Sequence, residues 1–437
     1  MVETFRESLI EEQRYPFREE AERRFTDALV DRVGRSTEAS VPVPNALDVR
    51  AFAPDGEGPT VSPWELKIER YGERVAAVEL GLTLYLGFCP SFEECVAAIG
   101  AFQHHFPWSG TVVARSAGEK RVERIRSPSA VFEWREFLEV RPAGFGLVAS
   151  DLGSEPANDP HTIPRQSIAI EAVRGPRPNE IATFCRIRVA PESDPKKFAA
   201  LAGELVDVLP VRSGWGGYEA HSGETNLGRG QHAVFDWSRR YFGIEVADPD
   251  ALLPLMRAEA KGANWITVLG PAMLEAIGEP SFDNLEISID ERTYGMVIQA
   301  GDDPTLGDVC AAAFPEEYSE VERWLQPVKL RDPIPLNDVF TANGASGAWF
   351  RRLLFPADLL APTTLELLQR AEHAARTDDQ IEVGQCLARL RGRASVPDLR
   401  TRLLGIATVL EERDLDELAG EFRQLASLSN VHRSAGS

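Results

Sequence analysis

The sequence predicts an α+β fold: two related α/β halves with helix-covered sheets, followed by an all-helical C-terminal region. Three observations carry that expectation. A strand–helix–strand pattern punctuated by prolines occurs twice, an apolar hairpin lies near residue 290, and beyond Pro362 the alternation of strands gives way to helical spacing. The boundaries read as a helical arm and linker over 1–59, a core over 60–357 with halves 60–160 and 161–357, and a helical region over 358–437 with a frayed tail.

The elements follow in chain order. Phe17, Ala21, Phe25, Ala28 and Leu29 recur at helical spacing behind Pro16. Ser36–Pro63 is rich in Pro, Gly, Ser and Thr and reads as linker. Leu80, Leu82, Leu84, Leu86 and Phe88 alternate, as in a strand. Phe92, Val96, Ile99 and Phe102 then mark a helix face, Pro107 ends it, and Thr111–Arg115 is strand-like. The pattern returns as a strand at Ile181–Val189 and a helix carrying Phe198, Leu201, Leu205 and Val208. After Pro210, a strand follows over Gly214–His221. Helices are expected over Val234–Tyr241 and Asp250–Lys261, then a strand over Ala263–Leu269 and a short helix opened by Pro271. Leu285, Ile287 and Ile289 alternate and, after a turn, so do Tyr294, Met296 and Ile298: a hairpin. From Pro362 to about Leu428, two or three helices are expected, with breaks at Thr377–Asp379 and Arg393–Val396.

Charge and composition exclude several functions. The 437 residues carry 47 Lys and Arg against 68 Asp and Glu, a net charge of −21. Residues 37–355 hold 46 of the acids and 30 of the bases. Such a chain repels nucleic acid and anionic lipid and suits a basic protein partner. No apolar run is long enough to span a membrane, and the N-terminus lacks a signal-peptide pattern, so a cytoplasmic protein is expected. Five scattered cysteines fit no zinc or redox spacing and read as buried free thiols.

Catalytic signatures are missing. Gly344-Ala-Ser346-Gly places its second glycine one position early for a nucleophile elbow, and Gly228-Arg-Gly230 has no strand leading into it. His221 and His232, with Glu219 and Asp236 nearby, form the one tempting metal cluster; solvated loop histidines are the simpler reading. No catalytic residue, cofactor or metal is expected. Trp215 and Tyr218 among Gly214, Gly216 and Gly217 read either as interface anchors or as a strand whose small residues admit a neighbouring helix.

Several segments in fixed order carry a family resemblance. They are Leu80-Gly-Leu-Thr-Leu-Tyr-Leu86, Leu209-Pro-Val-Arg-Ser-Gly214, Lys261-Gly-Ala-Asn-Trp-Ile-Thr-Val-Leu-Gly270 and Gln299-Ala-Gly-Asp-Asp-Pro-Thr-Leu-Gly-Asp308. From about Ala76 to Pro356 the chain resembles the TsiV-like family of type VI secretion immunity proteins. It departs at Trp215-Gly-Gly-Tyr218, where an aliphatic strand is expected, and in the length of its C-terminal helices. The resemblance implies a cytoplasmic, non-enzymatic antitoxin that binds a cognate effector and blocks its active site or substrate access. An effector-loading adaptor or chaperone is the alternative, and an enzyme with a non-standard site a third. A basic effector would meet the acids Asp302, Asp303 and Asp308, expected to be exposed, and Glu316 and Glu317, which follow within ten residues, with Trp215 and Tyr218 as further candidates. The competing role for these carboxylates is to cap turns and helices. Homo-oligomerisation through the C-terminal helices is a further expectation.

Overall fold

The computed structural model describes residues 61–70, 73–107, 111–116, 122–125, 145–150, 166–174, 181–222, 227–253, 255–256, 259–282, 286–309, 313–330, 336–343, 345–355, 364–390, 399–413 and 415–428. The expected N-terminal helix lies outside them. The contacts divide the chain into two compact units, which part after Asp332. The segment after Asp332 groups with the C-terminal helices and brings its own buried side chains, Phe340, Trp349 and Leu353.

The first unit is α+β and is built on one antiparallel sheet of eleven strands. These are β1 (Lys67–Arg70), β2 (Glu73–Leu86), β3 (Thr111–Ser116), β4 (Val122–Ile125), β5 (Phe145–Ser150), β6 (Ser167–Arg174), β7 (Ile181–Val189), β8 (Val211–Ser222), β9 (Ile266–Leu269), β10 (Ile287–Arg292) and β11 (Gly295–Ala300). Their order is β10-β11-β9-β8-β2-β7-β6-β5-β3-β4, with β1 beside the first part of β2. Both strand–helix–strand units are present: β2, α1 (Phe92–His105) and β3; then β7, α2 (Pro195–Val208) and β8. Because every pairing is antiparallel, the strands of each unit run in the same direction but never touch. β2 separates β7 from β8, and β7, β6 and β5 separate β2 from β3. The two halves therefore share one sheet and cross at its centre.

Local chemistry sets the helix ends. Ser91 caps α1 through a capping box with Glu94, and Asp194 caps α2 ahead of Pro195. α1 and α2 pack on each other, with Phe106 edge-on to Phe198 and Phe198 stacked on Trp265. The register gives the central strands two unlike faces. Leu80, Leu82 and Leu84 share one face with Val189, Ile187 and Cys185. On β8 their neighbours are Gly214 and Gly216, where an added Cβ would strike Leu84 and Leu82. The small residues there thus admit the leucines of the next strand rather than a helix. Burial pushes up the thiols of Cys95 and Cys185, the latter to about 12, so they stay protonated and inert.

The remaining elements are α3 (Leu227–Arg240), α4 (Pro249–Leu252), α5 (Pro271–Ile277) and α6 (Glu316–Leu325). Where a helix is expected over Asp250–Lys261, the described residues form one helical turn, α4, and Ala260 bridges Lys329. The hairpin is β10–β11 in continuous register.

The second unit contains α7 (Asp338–Ala342), α8 (Ser346–Phe350), α9 (Thr364–Thr377), α10 (Gln380–Leu390), α11 (Leu399–Glu411) and α12 (Asp416–Leu428). Among the described residues the terminal region has four helices rather than two or three, because α11 ends at Glu411 and α12 begins at Asp416. Two helix hairpins repeat at an interval of 36 residues. Leu367 and Leu403, Ala371 and Ala407, Val383 and Ala419, Cys386 and Phe422, and Leu390 and Ala426 occupy equivalent buried positions. The exceptions show where the pair ends. Ala375 and Leu387 are buried, whereas their equivalents Glu411 and Arg423 form an ion pair. Ile406 is buried and Leu418 packs on the core, whereas Arg370 and Glu382 form an ion pair at 2.6 Å. Polar replacement of interface positions is how terminal repeats close an array. Phe422→Ala should cost this unit about 3–5 kcal/mol. Hydrogen exchange would show protection falling across α9–α12 while β2 keeps its own.

Candidate functional site

The motif Lys261–Gly270 is buried throughout, and its parts fasten one another. Lys261 pairs with Glu245 beneath the sheet and lies 4.9 Å from the Trp215 ring centroid. Gly262 has φ of +136° and faces the Glu322 carboxylate, leaving no room for a side chain. Glu322 accepts from the Ala263 N–H and pairs with Lys329. Asn264 accepts from the Trp265 N–H, and Trp265 Nε1 donates to the Gly301 carbonyl at 3.0 Å. The second motif continues the same brace, since Gln299 Nε2 donates to the carbonyls of Gly301 and Asp302. These residues hold the turn at 301–303 in place.

That turn presents Asp302 and Asp303, both exposed as expected. Tyr218 is half-buried nearby. Burial and the charge of Asp303 push its hydroxyl up to about 12, so it stays a neutral donor. Asp308 departs from expectation. It is 7% exposed and takes a forked pair from Arg240, at 3.0 and 2.8 Å, that ties α3 to this segment. Trp215 is also buried, at 2%, because β8 lies between β2 and β9 and its ring packs against Tyr85 and Lys261. Asp308 and Trp215 are thus not available to a partner. Glu316 is exposed and Glu317 half-buried in the first turn of α6, where carboxylates favour the helix dipole.

A charged network not expected from the sequence lies on the other face of the central strands. Register places Glu79 of β2, Arg186 and Arg188 of β7, and Glu219 and His221 of β8 together. Arg186 donates to Glu219 at 2.5 Å, and Arg188 contacts His221 Nδ1 at 2.9 Å. Arginine can only donate, so Nδ1 accepts and the ring is neutral, with its proton on Nε2. Burial and the neighbouring Arg188 charge push the His221 pKa well below its ordinary value, against the pull of Glu219. Burial alone would raise Glu219, but the charge and hydrogen bond of Arg186, with the charge of Arg188, hold it down at about 2. The signal was present as charges alternating with apolar residues: Arg186-Ile-Arg188 and Glu219-Ala-His221. His232 is exposed on α3 and is not part of this network. Among the described residues no group of three or more His, Cys, Asp or Glu is placed to hold a metal.

This network makes stability depend on pH. The unfolded His221 takes up a proton near pH 6.5, while the folded ring resists it. The unfolded chain therefore binds more protons below that value, and stability falls as pH drops from about 6.5, by up to ~1.4 kcal/mol per unit. Urea melts at pH 7.5 and 5.5 should show the loss, and His221→Gln should flatten the slope over that window.

Residues 190–353 match a family model described as TsiV, type VI immunity for VRR-NUC. The structure is similar to that of the Pseudomonas aeruginosa T6SS protein PA0821. The TM-score is 0.55 at 18% identity, over 67% of this chain and 88% of that one. At that identity the likeness shows a shared fold. No curated protein matches. The matched stretch contains both braced motifs and the turn they hold. The family resemblance carried by those motifs is thus matched over residues 190–353: TsiV, type VI immunity for VRR-NUC.

Proposed function

We propose that this protein is a cytoplasmic immunity protein that binds a VRR-NUC nuclease effector and blocks its access to nucleic acid. The observation that carries this reading is the match over residues 190–353. The placement of the acids supports it. A protein surface that binds nucleic acid is positively charged, and this chain carries −21. Asp302 and Asp303 are held outward on a turn braced from the core by Trp265 and Gln299. Rigid presentation limits the entropy lost on binding. No reaction is needed for this function. No helix among the described residues is long and apolar enough to cross a membrane.

Cells expressing the effector together with this protein should survive, and cells expressing the effector alone should not. Binding without rescue would favour the adaptor reading. Asp302→Asn with Asp303→Asn should leave the melting temperature unchanged and slow association with the effector severalfold at low salt. The difference should shrink at high salt. An unchanged association rate would remove these two residues from the interface.

A further inference from the structure

The sheet ends on one side at β10, whose outer edge pairs with no other strand among the described residues. The hydrogen bonds show which backbone groups face outward. The Gly301 N–H donates to the Glu286 carbonyl at 2.8 Å, so these two residues form a hydrogen-bonded pair extending the β10–β11 ladder. Such pairs alternate along an antiparallel ladder. Ser288, Asp290 and Arg292 therefore direct their N–H and C=O groups to β11. Ile287, Ile289 and Glu291 direct theirs away from it.

This edge lacks the usual guards. It has no proline, no lysine and no break in register from Ile287 to Arg292. Ile289 is 43% exposed. Glu286, Ser288, Asp290 and Glu291 are exposed beside it, and Arg292, the strand's one cation, is held by Asp207 and Asp290. The edge thus offers outward backbone groups that no described strand pairs, one apolar contact and an excess of negative charge. In the register centred on Ile289, a second copy pairing antiparallel along this edge would set Asp290 against Ser288 and Glu291 against Ile287, which gives neither acid a cation opposite it. A strand carrying Lys or Arg would be drawn to it.

We propose that β10 is a docking edge for a basic strand of the nuclease effector, which extends the sheet by pairing with Ile287, Ile289 and Glu291. This rests on the immunity reading above and adds the mode of contact. Backbone pairing supplies the bonds, Ile289 an apolar contact, and the acids the choice of partner.

Ile289→Pro tests it, because proline there removes an outward N–H and leaves the β10–β11 ladder whole. The full-length variant should melt as the wild type does and remain the same size in solution. Its affinity for the effector should fall about tenfold or more. Ile289→Val, which keeps the N–H, should bind normally, and Glu291→Lys should slow association. Wild-type affinity and rescue by Ile289→Pro would overturn the docking edge while leaving the immunity reading intact. A wild-type dimer that Ile289→Pro dissolves would also overturn it, by assigning the edge to a second copy. Failure of the wild-type protein to bind the effector at all would remove both readings.

Discussion

Charge neutralisation beneath the central strands is the constraint on which the rest of the first unit depends. β2 is paired on both sides and its residues 75–86 are buried on both faces. Its leucine face meets that condition with apolar packing. The opposite face carries Glu79, with Glu219 on one neighbour and Arg186 and Arg188 on the other. A one-residue slip of β7 or β8 would turn those charges into the leucines and the leucines' partners out. Breaking a buried pair strands an uncompensated charge, at a cost of about 3–5 kcal/mol. The network thus fixes the register in which two crossing halves are joined.

The elements of this fold were largely legible in the sequence, whereas their adjacency was not. Alternation and proline punctuation gave the strands and helices of both crossing units, because burial and missing N–H groups act locally. Nothing local says that β2 lies between β7 and β8, since those pairings join residues about a hundred positions apart or more. The helix expected over Asp250–Lys261 failed for a related reason. Its apolar residues are buried by distant segments, as Ala260 is by its bridge to Lys329, and not by one helix face. The repeat of 36 residues in the second unit was hidden because the second helix of each hairpin holds different side chains at the repeated positions, Cys386 against Phe422 among them.

The candidate surface was legible only in part. Asp302 and Asp303 are exposed because Gly301 and Pro304 flank them in a turn. Asp308 follows five positions later in the same motif, yet Arg240 draws it inward. Sequence shows carboxylates but not which of them meet a cation from another element. Trp215 shows the converse. Glycine neighbours marked a place of close approach, and what approaches is the leucine side of β2, with Lys261 over the ring on the other face.

That distinction has an electrostatic consequence. Four buried carboxylates of the first unit pair with buried or half-buried cations: Glu219 with Arg186, Glu245 with Lys261, Glu322 with Lys329, and Asp308 with Arg240. These pairs cancel within the fold and contribute nothing to the net charge. The surplus of acids is therefore carried by exposed groups such as Glu286, Glu291, Asp302 and Asp303, all on or beside the β10–β11 hairpin. Exposed charges of one sign add little to stability, but they set up a field that extends about a Debye length into solvent. Folding thus sorts the carboxylates by the presence of a partner cation. The matched ones hold the sheet together, and the unmatched ones remain at the hairpin to attract positive charge from outside.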